Sequence, residues 1–131
     1  MNKKEEDQSL HFTSMDHWLQ QFFLDPFTTY LDDIMFRIDI YENSTSYIVE
    51  ALLPHVQKNE ISIHLKDKTL LIRAHFHRDS KSDTFRYRKV DFPFDIVEKN
   101  VTAKLEHDIL EIVISKKEPG NGENRVLSLS D

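Results

Sequence analysis

From Arg37 onward, apolar residues recur at every second position in short segments that polar turns separate. In the first two segments Ile38 and Ile40 precede a polar turn, and Val49 and Ala51 follow it. Because successive side chains on a strand point to opposite faces, this spacing predicts a β-hairpin with one buried face.

The same period continues through the rest of the central region. A second hairpin is predicted from two apolar sets on either side of a polar turn at residues 66–69, and its two sets are Ile61, Ile63, Leu65 and Leu70, Ile72, Ala74, Phe76. Further strands are predicted at 85–92, 101–105 and 109–114. About seven short strands without room for crossover helices predict an all-β, immunoglobulin-like antiparallel β-sandwich.

Composition excludes several kinds of chemistry. Lys and Arg number 17 against 23 Asp and Glu, and the resulting net charge of -6 offers no cationic surface for nucleic acid. There is no Cys, which excludes disulfides and Cys-ligated metals. Both glycines, Gly120 and Gly122, lie near the carboxyl terminus, so no glycine-rich phosphate loop is expected among the strands. We therefore expect no cofactor and no nucleic-acid partner.

The apolar runs are short. Ala51-Leu52-Leu53 is typical, whereas a membrane span needs about 20 apolar residues. No apolar signal segment follows the polar residues 1–8. The sequence therefore predicts no membrane partner and a cytoplasmic protein.

Residues 14–24 are predicted to form a short amino-terminal helix, which Ser14 caps and Asp25-Pro26 ends. Its apolar residues are spaced by one, three and four, so they fall on one stripe. This stripe either packs on the chain's own domain or contacts another molecule, and we expect the second because apolar patches outside a core mark interfaces. This candidate contact stripe comprises Trp18, Leu19, Phe22 and Phe23.

Candidate metal and catalytic residues are few. His75 and His77 share the outward face of a predicted strand, where two imidazoles could converge on an ion. A closed metal site needs about four ligands, and His64 is expected opposite Leu71, away from both. We therefore interpret these histidines as solvated and expect no metal site. No spacing brings a nucleophile or paired carboxylates to a positioned base, so we expect no catalytic residues and no enzyme.

The composition of the chain becomes more polar after Ile114. Residues 115–125 are too polar to bury much surface, which predicts a flexible extension. At its end Leu127 and Leu129 point the same way in an extended segment, as an anchor would.

Four segments carry a family resemblance: Arg37–Glu42, Tyr47–Pro54, Ala103–Leu110 and Leu127-Ser128-Leu129. Their order resembles the small heat-shock proteins, the α-crystallin family. The second segment resembles a strand that ends in Leu-Pro, the third the signature Ala-x-x-x-Asn-Gly-Val-Leu, and the last the Ile-x-Ile anchor. His55 and Asp108 stand where the family usually has Gly.

The resemblance implies an amino-terminal arm at 1–36, an α-crystallin domain at 37–116 and a carboxy-terminal extension at 117–131. It further implies an ATP-independent holdase that forms homo-oligomers and binds unfolding client proteins. The anchor, Leu127 and Leu129, would dock in a groove formed by Ile61, Ile63, Leu65, Val101, Ala103 and Leu105.

Two features point to a subgroup of the family. The loop between Phe76 and Phe85 is too short for the extra strand that bacterial members exchange within dimers, so a swapped dimer is not expected. Residues 14–27 are similar to the amino-terminal stretch of spore coat members of this family. The alternative function is therefore a structural spore coat protein, which has other coat proteins as partners and lies in the coat.

Overall fold

The alternating segments form strands that pair into two sheets across an apolar interior. The structure is a computed structural model that describes residues 17–77 and 83–130. Within these residues the strands are β1 (Ile38–Glu42), β2 (Ser46–Leu52), β3 (Ile61–Lys66), β4 (Thr69–His77), β5 (Asp83–Asp91), β6 (Lys99–Glu106), β7 (Ile109–Pro119), β8 (Arg125–Leu127) and β9 (Leu129–Ser130). Short 3₁₀ turns at Lys58–Glu60 and Ile96–Glu98 precede β3 and β6.

The two sheets have the strand orders β1-β2-β7-β6-β9 and β5-β4-β3-β8. The pairs are antiparallel except for β6 with β9, which is parallel. In the second hairpin Ile63 lies opposite Ile72 and Leu65 opposite Leu70, as the alternation predicts. The all-β sandwich expected from the sequence is therefore confirmed.

The core lies between the facing sheets. Val49, Ile63, Ile72, Leu110 and Ile112 have no exposed surface, and they come from both sheets. Each such side chain stabilises the fold by about 1.5–3 kcal/mol relative to an exposed position. Since this interior is apolar and closed, functional contacts have to be sought on the edges and on the terminal segments.

The amino-terminal arm contains a second helix that the sequence analysis did not predict. Residues 17–24 are the described part of α1, whose predicted cap, Ser14, lies outside the described residues, and Pro26–Ile34 forms α2. Asp25 ends α1 and also caps α2, because its Oδ1 accepts a hydrogen bond from the Phe27 N–H at 2.9 Å. Pro26 occupies the first turn of α2, where its missing N–H costs nothing. Asp25-Pro26 therefore ends α1 and begins α2.

In the described part of the chain, neither α1 nor α2 has the length and apolar character that crossing a bilayer requires. The strand β7 runs to Pro119, so it includes the first residues assigned to the carboxy-terminal extension.

Candidate assembly groove and arm surface

The carboxy-terminal segment lies across the edges of both sheets. Strand β8 pairs antiparallel with β3, which places Leu127 opposite Ile63. Strand β9 pairs in parallel with β6, which places Leu129 opposite Ala103. We call the surface between β3 and β6 the carboxy-terminal groove.

The residues predicted for the anchor and its groove lie on the four strands β3, β6, β8 and β9, and their exposure differs. Ile63, Leu65, Val101 and Ala103 are buried and belong to the sandwich core. Leu127 and Leu129 are partly buried and pack against that core, as do Ile61 and Leu105, which were also assigned to the groove. Val126, the middle residue of β8, is 64% exposed. The segment therefore presents alternate residues to the groove and to solvent.

The backbone before the anchor is held by two glycines. The Gly120 N–H donates to the Glu98 carbonyl at 2.8 Å, and the Gly122 N–H donates to the Val97 carbonyl at 2.9 Å. A Cβ on Gly120 would lie 2.3 Å from the Lys99 carbonyl oxygen, and Gly122 has a φ of 75°. Both positions therefore suit glycine, by close approach at one and by backbone conformation at the other.

Side chains add further contacts to the same segment. Arg125 donates to the carbonyls of Val97 and Lys99, each at 3.0 Å. Asn124 accepts from the Asp67 N–H at 2.9 Å. The extension was expected to be flexible from its composition, yet these hydrogen bonds hold it against the sandwich. The signal that could have indicated this is the placement of the chain's two glycines within three residues of each other.

The amino-terminal stripe packs mainly on the sandwich. Trp18 stacks on Phe92 with ring centroids 5.2 Å apart and on Phe22 at 5.9 Å. Trp18, Leu19 and Phe22 contact the core, whereas Phe23 is 39% exposed. Of the two alternatives considered for the stripe, these contacts correspond to packing on the chain's own domain.

A different face of the arm is exposed and apolar. Leu24 is 79% exposed, Phe27 61% and Tyr30 55%, and the rings of Phe27 and Tyr30 stack at 6.2 Å. The sequence interpretation did not select these residues, although the spacing of three after a capping Asp-Pro indicates a helix face. We call this set the arm surface; its members are Leu24, Phe27, Tyr30 and Ile34.

A buried ion pair joins the arm to the sandwich. Arg88 on β5 is 2% exposed, and its Nη1 donates to Asp32 Oδ1 on α2 at 2.5 Å. The same nitrogen donates to the Phe36 carbonyl at 2.7 Å. Asp32 Oδ1 also accepts from the Ile38 N–H at 3.3 Å, so one carboxylate links α2, β1 and β5.

Comparisons of sequence with known proteins agree on one family. The model described as Hsp20/alpha crystallin family matches residues 39–128. Spore coat protein M from Bacillus subtilis (strain 168) is 33% identical over 117 residues, which cover 89% of this chain and 85% of that protein. The resemblance drawn from the motifs, including that to spore coat members, is confirmed.

Solved structures share the architecture. Heat shock protein 16.0 from Schizosaccharomyces pombe has a TM-score of 0.53 and 19% identity, and the match covers 67% of this chain and 92% of that chain. A small heat-shock protein from Xylella fastidiosa, described as having a distinct high order structure, has a TM-score of 0.50 and 20% identity, covering 72% of this chain and 95% of that one. At these identities the likeness establishes the fold.

Proposed function

The chain belongs to the Hsp20/alpha crystallin family, and from this premise we propose that it is an ATP-independent chaperone that self-assembles and holds unfolding proteins. The observation that carries the proposal is the fit of Leu127 and Leu129 to the groove between β3 and β6. Every copy of the chain has both this segment and this groove. A segment from a neighbouring copy can therefore replace the chain's own, which links copies without any new surface.

The energetics favour assembly through many weak contacts. Burying two leucines contributes about 1.5–3 kcal/mol each before the cost of ordering the segment, so one segment alone would bind at about millimolar affinity. Several such contacts in one particle raise the effective concentration of each segment. Particles of this kind are stable as a whole, while each contact opens readily. The high order structure described for the Xylella fastidiosa relative supports such assembly.

Two apolar surfaces of the arm are proposed to contact client proteins. The arm surface, with Phe27 and Tyr30, is exposed while the helices stay docked. The stripe of Trp18, Leu19, Phe22 and Phe23 lies mostly against the sandwich, so a client role for it requires α1 to detach. We assign the chain no catalytic step, and the holdase proposal places it in the cytoplasm.

The anchor is tested by replacing both of its leucines. We expect Leu127→Ala with Leu129→Ala to reduce the particle mass, because the variant removes the side chains that fill the groove and leaves the strands intact. Size-exclusion chromatography with light scattering measures the mass. Val126→Ala is the matched control, since it truncates an exposed apolar residue of the same strand and should leave the mass unchanged.

The holdase activity is tested separately with a client that aggregates on heating. The purified protein, without ATP, should suppress the rise in light scattering of the client in proportion to its concentration. A particle mass that is the same in the double variant, Val126→Ala and the natural protein would contradict the anchor. An undiminished client aggregation curve would contradict the holdase proposal.

A second candidate function, a structural protein of the spore coat, is supported by the 33% identity to Spore coat protein M over most of both chains. In this alternative the same anchor and arm surface would form a permanent lattice with other coat proteins. A tagged copy, followed through growth and sporulation in the organism that encodes it, separates the two. Appearance only during sporulation, with retention in coat extracts, favours the coat function.

A further inference from the structure

The pairing of β3 with β4 brings a carboxylate to two histidines that are distant in sequence. Ile61 lies opposite Ala74, so the residue before Ile61 neighbours the residue after Ala74. The first of these is Glu60, at the end of a 3₁₀ turn, and the second is His75. His77, two positions further along β4, shares the outward face with His75.

The three side chains converge on one point. Glu60 Oε2 lies 3.6 Å from His75 Nδ1 and is in direct contact with His77 Nε2. One donor atom from each of the three residues lies within 4.8 Å of the others. The same carboxylate oxygen therefore faces both imidazole rings.

Neighbouring groups fix the orientation of two of these side chains. The other carboxylate oxygen of Glu60, Oε1, accepts from the Gln57 N–H at 3.0 Å. This hydrogen bond leaves the second oxygen, Oε2, as the one that faces the two imidazole rings. The His75 ring stacks on Phe85 with centroids 4.5 Å apart.

We propose that Glu60, His75 and His77 form a three-ligand site for a divalent transition-metal ion of the zinc type. Two imidazole nitrogens and one carboxylate oxygen are a donor set that zinc takes in open sites, with water in the fourth position. Tetrahedral bonds of about 2.0–2.1 Å place ligand atoms roughly 3.3 Å apart, so small movements of the side chains close the set around an ion.

Two features of the surroundings bear on the strength of binding. The Gln57 N–H donates to Glu60 Oε1, the carboxylate oxygen that does not face the histidines. A hydrogen bond of this kind orients a metal ligand. The guanidinium of Arg73, 4.3 Å from the centre of the Phe85 ring, is a nearby positive charge that opposes a cation. The negative charge of Glu60 offsets it. Binding would tie the 3₁₀ turn to the end of β4 and so stabilise this end of the second sheet.

The sequence interpretation had expected no metal site at these histidines. It considered only the histidines of β4 and of β3, whereas Glu60 lies in the 3₁₀ turn before β3. A ligand 15 positions from His75 becomes visible only when the register of β3 and β4 is known.

The site is tested by titrating the full-length chain with ZnCl₂ after dialysis against EDTA. Isothermal titration calorimetry should give one zinc ion per chain. Glu60→Gln should weaken binding by at least about tenfold, because it removes a direct ligand and even the loss of a group that only orients a ligand costs about 10–100-fold. His75→Ala with His77→Ala should abolish it. Substitution by Co²⁺ should give the visible absorption of a tetrahedral site in the natural protein and not in the His75, His77 double variant.

The matched control removes two histidines outside the cluster, as His17→Ala with His64→Ala, and should bind zinc as the natural protein does. Circular dichroism checks that every variant is folded, and zinc should raise the melting temperature of the natural protein and of the control alone. Equal zinc binding by the His75, His77 double variant and by the control would overturn the proposal. So would a ratio of one ion to two chains, which would indicate a site between copies.

Discussion

At the scale of single residues, Arg88 is the side chain that joins the amino-terminal arm to the sandwich. It is buried, and its guanidinium holds both Asp32 of α2 and the carbonyl of Phe36. Truncating one partner of a fully buried ion pair costs about 3–5 kcal/mol, because the other charge remains without compensation. The Asp32 side chain is 27% exposed, so water offsets part of that cost and we expect the lower end of the range. Arg88→Ala should therefore lower the melting temperature by roughly ten degrees, on the order of several degrees for each kcal/mol lost.

Circular dichroism at fixed protein concentration measures this loss. Arg37→Ala is the matched control, since Arg37 pairs with Asp39 on the surface, where both side chains are about half exposed or more. Exposed pairs contribute about 0–1 kcal/mol, so the control should melt nearly as the natural protein does. Two variants with the same melting temperature would show that the Arg88 pair does not secure the arm.

At the scale of helices and strands, the sequence predicted the structures that form between residues close together in the chain. The hairpins followed from an alternation of period two and from turns only a few residues long, so Ile63 could be placed opposite Ile72 without a structure. Helix α2 was missed because Pro26 was interpreted as the end of one helix alone. Its capping residue, Asp25, and the spacing of Phe27 and Tyr30 were the available signals.

The position of the carboxy-terminal segment was harder to predict than its anchor. The alternation of Leu127 and Leu129 indicates which side chains bind, but the hydrogen bonds that place them run from Gly120 to Glu98 and from Arg125 to Val97 and Lys99. These contacts are separated by more than 20 residues in sequence. Composition alone describes such a segment as solvated, because it contains few apolar side chains.

Gly120 provides the test at this scale. In Gly120→Ala the added Cβ would lie 2.3 Å from one backbone oxygen and 2.8 Å from another, so the backbone itself has to move. We expect the segment to leave its place, which hydrogen exchange across residues 117–130 would measure as a loss of protection. Gly122→Ala is the control: its Cβ meets nothing within 4 Å, so it carries the strain of a positive φ without a clash.

The comparison of the two glycines distinguishes steric fit from general weakening. Gly120→Ala should lose far more protection than Gly122→Ala, whose cost is about 1–2 kcal/mol. If the two variants exchange alike, the close approach at Gly120 does not hold the segment.

At the scale of the whole molecule, the two terminal arms differ in how they are attached. The carboxy-terminal segment is held by edge pairing and backbone hydrogen bonds, which a second copy would replace in the proposed assembly. The amino-terminal arm is held by aromatic packing on Phe92 and by the buried pair of Asp32 with Arg88. Release of the first segment would therefore remove two edge strands and leave β1 to β7 paired, whereas release of the second would separate the buried Arg88 from its carboxylate partner.

The two faces of the amino-terminal arm can be separated by mutation. If the arm surface contacts clients, Phe27→Gln with Tyr30→Gln should reduce the suppression of client aggregation while leaving the melting temperature nearly unchanged. Both side chains are more than half exposed, and Gln is tolerated in a helix.

Trp18→Ala should instead lower the melting temperature, because it removes the ring that stacks on Phe92. Loss of a buried aromatic side chain costs about 3–5 kcal/mol, and Trp18 is partly buried, so we expect about half of that cost. Melting by circular dichroism and client light scattering, run on the same preparations, measure both quantities. A Phe27, Tyr30 variant that protects clients as fully as the natural protein would remove the arm surface from the proposed mechanism, and a Trp18 variant that melts unchanged would show that α1 is not part of the stable fold.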